Sequence, residues 1–247
     1  QAVEQYLSDK VNFSLVDKVK RNIVNLYDDD LKKYDLEYHS FTSPIYSHIP
    51  AFLSSRNKKL KFSSIKKGGR YSNRLSSLDG IEKSRRGNLC QNTSDPTVGL
   101  GLTSIPSDIK IYSSDTGLLI TQILKDNEST SNDLYRKLIF NKLSINQGMF
   151  FENSVSQALK GSGHSLYFHT FENQKAKYEI DFLVQRKGKL SPIEVKPSSY
   201  NSHVSLDCFL EKNKDRKNIG EPIIIYTKDL KAEDGILYIP IYRTGLI

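Results

Sequence analysis

The sequence predicts an α/β protein: a basic, largely helical N-terminal region followed by a domain built on a sheet. Three observations carry this. Tyr178–Gln185 and Leu190–Lys196 alternate apolar and polar residues, as neighbouring strands do, and Arg186–Lys189 with Gly188 reads as the turn between them. From Ser165 onward the elements run β-β-β-α-β-β. Before Pro106 the apolar spacing is mostly three and four, the period of helices. The expected domains are 1–105, helical and winged-helix-like, and 106–247, the sheet domain.

Taken in order, Ala2–Leu7 reads as the end of a helix. Phe13–Tyr34 is an amphipathic helix with Leu15, Val19, Ile23, Leu26, Tyr27 and Leu31 on one face. Ser14 is its expected N-cap, with Asp17 in the capping-box position. Pro44–Ser55 is a helix with Pro44 in the first turn and Ile45, Ile49, Phe52 and Leu53 inward. A short helix at Phe62–Lys67 capped by Ser63, a turn at Gly68-Gly69, a helix over Tyr71–Arg86 and a hairpin wing over 90–102 follow. That order is the order of a winged helix, whose third helix commonly lies against DNA.

Beyond Pro106, Asp108–Tyr112 is a strand, Asp115–Leu124 begins a helix and Lys125–Asn132 is a polar loop. Asp133–Phe140 and Gln147–Lys160 are helices, the second stopped by Gly161-Ser162-Gly163. Ser165–Phe171 is a strand and Tyr200–Asn213 a helix. Pro222–Thr227 is a buried strand, and Ile236–Ile241 a strand that Pro240 assigns to a sheet edge.

The 247 residues carry 36 Lys and Arg against 28 Asp and Glu, a net charge of +8. The excess is local. Eleven basic residues fall between Arg56 and Arg86, opposed only by Asp79 and Glu82. An acidic partner for that segment follows, nucleic acid first, with Lys58, Lys59, Lys61, Lys66, Lys67, Arg70, Arg74, Arg85 and Arg86 as contacts. The structural alternative is a solvated basic face. No apolar run is long enough to cross a membrane, and no secretion signal opens the chain. Cys90 and Cys208 are far apart and lack ligand spacing, which fits free thiols in the cytoplasm. The chain begins at Gln1, so it is expected to be a fragment of a longer protein.

Chemistry concentrates on the central pair of strands. Glu194 and Lys196 share one side of their strand, about 7 Å apart along it. Asp181, on the partner strand, sits beside them if the register allows. Two carboxylates and an amine at a sheet end make a candidate Mg²⁺ or Mn²⁺ site. The carboxylates would hold the ion, and the ammonium would orient a water or steady a developing oxyanion. Glu152, on the preceding helix, is a further candidate ligand. Glu179 lies on the strand face of Asp181, and His169 on the strand before it. The alternative for all of these is a set of structural ion pairs and packing residues. The Gly161–Gly163 turn follows a helix and lacks the Lys-Ser/Thr of a phosphate loop.

The pattern Asp181, then thirteen residues on Glu194-Val195-Lys196, resembles the core motif of the PD-(D/E)XK nuclease superfamily. Four stretches together extend the resemblance: IPAFLSSRNKKLKFSSIKKGGR (Ile49–Arg70), KIYSSDTGLL (Lys110–Leu119), MFFENSVSQAL (Met149–Leu159) and YEIDFLV…PIEVK (Tyr178–Lys196). They resemble the C-terminal region of prokaryotic AAA-type P-loop ATPases, where a winged-helix segment leads into a PD-(D/E)XK-like domain without assigned function. The third helix here, LSSLDGIEKSRRG, is more polar than that pattern, and the hairpin after it matches weakly. The resemblance implies an ATPase module in the intact protein, with ATP bound there. These residues hold no Walker sequence.

Two functions are therefore expected. In the first, a basic winged-helix segment holds DNA and Asp181, Glu194 and Lys196 form a metal-dependent phosphodiesterase centre, with Glu152 completing the shell. In the second, a degenerate nuclease fold serves as a non-catalytic module that recruits the ATPase to a protein or nucleic-acid partner.

Overall fold

The computed structural model describes all residues except 9–11, 35–38, 66–70, 98, 127–132, 134–136, 138–146, 174–175 and 198–201. It is α/β and divides into two compact units that interleave along the chain. One comprises residues 1–57, 61–87 and 113–147, the other 58–60, 88–112 and 148–247.

The first unit is helical. It contains α1 (Ala2–Ser8), α2 (Phe13–Tyr34), α3 (His39–Ser54), α4 (Phe62–Ile65), α5 (Tyr71–Lys83) and α6 (Thr116–Ile123). In α3, Ile45, Ile49, Phe52 and Leu53 are all buried, as their spacing predicts. The helix starts before Pro44, so Pro44 and Pro50 lie inside it rather than in the first turn. The face of α2 is rotated from the expected one. Leu15 and Leu26 are exposed, whereas Val16, Asp17, Lys20 and Leu31 are buried. Burial of Asp17 and Lys20 is what an apolar count misses. Asp17 pairs with Arg21 at 2.7 Å. Asn12 accepts from the Leu15 N–H. The Arg21 guanidinium reaches the carbonyls of Leu124 and Lys125, at 2.9 Å each, just beyond the last turn of α6. Asp115 caps the other end of α6 through the Leu118 N–H at 2.8 Å. The helix expected over Asp133–Phe140 falls mostly outside the described residues.

The second unit is one mixed sheet of eight strands in the order β2-β1-β3-β4-β5-β6-β8-β7. Its strands are β1 (Gly87–Thr93), β2 (Ser104–Ser113), β3 (Leu166–Asn173), β4 (Ala176–Arg186), β5 (Lys189–Val195), β6 (Ile223–Tyr226), β7 (Lys231–Glu233) and β8 (Ile236–Pro240). Its helices are α7 (Gln147–Gly161) and α8 (Val204–Lys212). The hairpin expected at 90–102 is thus not a separate wing: β1 and β2 are neighbours within the large sheet. The boundary expected at Pro106 falls inside β2.

The central hairpin forms where the alternation places it. Its two turn residues, Lys187 and Gly188, have φ of 51° and 74°, the conformation of a type I′ turn. A second such turn, Asp234-Gly235 with φ of 50° and 76°, joins β7 to β8. The sequence reading missed β7. It also put β8 at an edge, whereas β8 lies between β6 and β7, and Pro240 is only its last residue.

The two faces of the sheet differ. On one, Phe171, Ile180, Leu183, Leu190, Ile224 and Tyr238 pack with Leu206 and Phe209 of α8. On the other, Lys110, Tyr112, Phe168 and Phe182 approach α7, whose buried residues Met149, Glu152, Val155, Ser156 and Leu159 recur at helical spacing. No helix among the described residues is long and apolar enough to cross a membrane.

Candidate functional site

The strand pairing decides where the motif residues go. On β3 the step from Tyr167 to His169 is two residues, but on β4 their partners are Leu183 and Ile180, three apart. β4 therefore carries one extra residue at Asp181-Phe182, a β-bulge. The ordinary β4–β5 ladder ends at Phe182 opposite Ile193. Beyond it, the Val195 N–H donates to the Asp181 carboxylate at 2.8 Å. The bulge aims this side chain at α7.

There Asp181 joins a buried charged cluster. Glu152, 5% exposed, accepts from the Lys58 ammonium and from the Tyr112 hydroxyl, the latter at 3.2 Å. Lys110 is wholly buried, 2.5 Å from Glu179, with its ammonium over the Phe168 ring. Burial opposes every charge here, and the neighbours decide which survive. Burial alone would raise the Glu152 carboxyl, but Lys58 and Lys110 hold it below its ordinary value. Burial opposes the Lys110 charge too, yet Glu179, Glu152 and Asp181 keep it an ammonium. Asp181 is the member left over. Burial and then the Glu152 charge push its carboxyl up to about 7, against the pull of Lys110 and Lys58.

Glu194 goes elsewhere. Along β5 it alternates with Leu190 on the α8 side, and it lies opposite Ile224 of the α8 core. Its carboxylate pairs with Lys196 at 2.5 Å and lies near the Leu206 N–H in the first turn of α8. Burial raises it from the ordinary glutamate value, and Oε2 has no hydrogen-bond partner. His203, just before α8, pairs with Asp207 on that helix at 2.9 Å and lies close to Glu194.

The two carboxylates of the motif therefore have different neighbours: Glu152, Lys110, Lys58 and Glu179 for Asp181, but Lys196, His203 and Leu206 for Glu194. The expected pairing of Glu194 with Lys196 is present, and Glu152 is beside Asp181. Neither carboxylate is among the main charges acting on the other. His169 is a packing residue: 5% exposed, 2.7 Å from the Thr93 carbonyl and stacked on Phe171, with burial lowering its proton affinity.

Residues 147–243 match the model of DUF4143, a domain of unknown function. No curated protein matches the chain. The DUF4143 region supplies Glu152, Glu179, Asp181, Glu194 and Lys196, whereas Lys58, Lys110 and Tyr112 come from segments before it. Lys110 and Tyr112 were not singled out from the sequence. The signal available was a lysine inside the apolar run Ile109–Tyr112.

The divalent ion that the motif resemblance implies can be tested against these donors. Glu152 is held by Lys58 and Tyr112, and Asp181 favours its neutral form up to about pH 7. Among the described residues no three His, Cys, Asp or Glu side chains gather as a ligand set. In this arrangement the residues do not fit Mg²⁺ or Mn²⁺, whose sites need several free oxygens converging on one point.

The basic segment is also partly committed. Lys58 pairs with Glu152, and Lys59 with Asp108 at 2.6 Å. Arg86 pairs with Asp30 at 3.2 Å and covers the Tyr27 ring. Lys61 and Arg85 are exposed. Lys66, Lys67 and Arg70 lie outside the described residues, as does the side chain of Arg74.

Proposed function

We propose that this chain is a non-catalytic interaction module built on a nuclease-like sheet, which serves the C-terminal end of an AAA-type ATPase and recruits it to nucleic acid. The observation that carries the first half is the separation of the motif. Asp181 faces α7 among ammonium groups, while Glu194 faces α8 beside Lys196. A phosphodiesterase centre needs both carboxylates on one ion. The DUF4143 match agrees with the ATPase context, because that domain commonly occupies the C-terminal region of AAA ATPases. ATP would bind the N-terminal module, outside these residues. The exposed Lys61 and Arg85 support a polyanionic partner.

The experiment pairs cleavage with binding. Supercoiled plasmid, linear duplex and single-stranded DNA are incubated with Mg²⁺ or Mn²⁺ and the chain, beside Asp181→Ala and Lys196→Ala. The module predicts no cleavage and a salt-sensitive gel shift. Metal-dependent cleavage lost in both variants would replace it with the nuclease. Neither cleavage nor retention would move the partner from nucleic acid to protein.

A further inference from the structure

Glu152, on α7, is 5% exposed and so is largely cut off from solvation by water. A carboxylate buried there without a cation is strongly unfavourable. Lys58 supplies that cation from an unusual position. Its φ is 51°, left-handed for a residue with a side chain. It opens a three-residue segment, Lys58–Leu60, that is fastened along β2. Lys59 bridges to Lys110, the Leu60 N–H donates to the Ile109 carbonyl at 2.8 Å, and the Lys59 ammonium holds Asp108 at 2.6 Å. The ammonium therefore reaches Glu152 from a tethered backbone. The same ammonium is among the charges acting on Asp181.

We propose that Lys58 is the resident cation of a seat formed by Glu152, Asp181 and the Tyr112 hydroxyl, and that it keeps divalent ions out of the native chain. This deepens the reading of the motif given above, because it names what occupies the place an ion would take. The acids belong to the DUF4143 region and the occupant does not. Removing the ammonium while keeping most of the side-chain length leaves two crowded carboxyl groups and a phenol, with Lys110 still engaged by Glu179. Those oxygens suit a hard cation such as Mg²⁺ or Mn²⁺.

The test is thermal unfolding of the full chain with and without millimolar Mg²⁺ or Mn²⁺, for the wild type, Lys58→Met, Lys58→Arg and Lys58→Met/Glu152→Gln. Lys58→Met should gain roughly 3 to 6 °C once the ion exceeds its dissociation constant about tenfold. The wild type, Lys58→Arg and the double variant should gain nothing. Lys58→Met that folds only when the ion is present would also support the seat. Lys58→Met that ignores the ion, whether folded or unfolded, overturns it. A metal shift in the wild type that Asp181→Ala abolishes would overturn the non-catalytic reading as well, so the two failures are distinguishable.

Discussion

The Val195 N–H donates to the Asp181 carboxylate at 2.8 Å, where the ladder between β4 and β5 would otherwise continue. A side chain thus completes the backbone pairing of the central hairpin, one residue from Glu194. The cost is that Asp181 sits beside Glu152.

That proximity gives a pH dependence with a definite sign. In the folded chain the Asp181 carboxyl is raised from 3.8 to about 7, first by burial and then by the Glu152 charge. The folded state binds this proton more tightly than the unfolded chain does. Its stabilising contribution is fully present below about pH 4 and is lost as pH rises through about 7. Asp181→Asn keeps an oxygen for the Val195 N–H and removes the charge. The variant should match the wild type near pH 4 and exceed its stability by about 1–3 kcal/mol near pH 8. Urea unfolding at both pH values checks this, and parallel pH curves for the two proteins would refute it.

Glu194 is expected to act as a helix cap. It lies near the Leu206 N–H at the start of α8 and holds Lys196 at 2.5 Å. Glu194→Ala should cost about 1–2 kcal/mol through the lost cap. Glu194→Gln, which keeps an acceptor, should cost less. Amide exchange at Leu206 should quicken in the alanine variant more than exchange within β5. Unchanged protection at Leu206 would show that the carboxylate does not hold the helix.

These two residues also show what the sequence could reveal. Period-2 alternation places Glu194 and Lys196 together, and the salt bridge is there. The type I′ turn at Lys187-Gly188 follows from the break between the strands. Alternation cannot reveal the extra residue at Asp181-Phe182, because a bulge is set by the pairing of β4 with β3 rather than by β4 alone. That one residue turns Asp181 toward α7. The counter-ions were hidden for another reason. Lys58 reads as one of eleven basic residues in a solvated run, and only the tertiary pairing of its segment with β2 commits it to Glu152. Strand β7 was legible after all, since Asp234-Gly235 is a strong hairpin signal before the apolar run of β8.

Lys110 offers a test of whether the cluster behaves as a unit. It is wholly buried and pairs with Glu179 at 2.5 Å, the glutamate being partly exposed. Lys110→Met removes the positive charge and leaves Glu179, Glu152 and Asp181 facing one another with Lys58 alone. The expected loss is about 3 kcal/mol or more. Adding Glu179→Gln should restore a good part of it, because the double variant no longer strands a carboxylate. A double-mutant cycle in urea measures the coupling. Additive losses would mean that the two side chains stabilise the sheet independently.

The hairpin turn sets the register on which the whole site depends. Gly188 has φ of 74° and nothing within 4 Å of where a Cβ would stand, so space is not the constraint there. Backbone conformation is. Gly188→Ala should destabilise by about 1 kcal/mol, and Gly188→Asn by less, since asparagine tolerates the left-handed region better. Neither should alter the Val195–Asp181 hydrogen bond if the register survives, and the Val195 amide resonance reports on that directly. A slip by one residue would exchange the faces of β5, carrying Glu194 away from α8. Loss of Leu206 protection together with a shifted Val195 resonance would therefore show that the turn, more than the charged cluster, fixes where the motif residues lie.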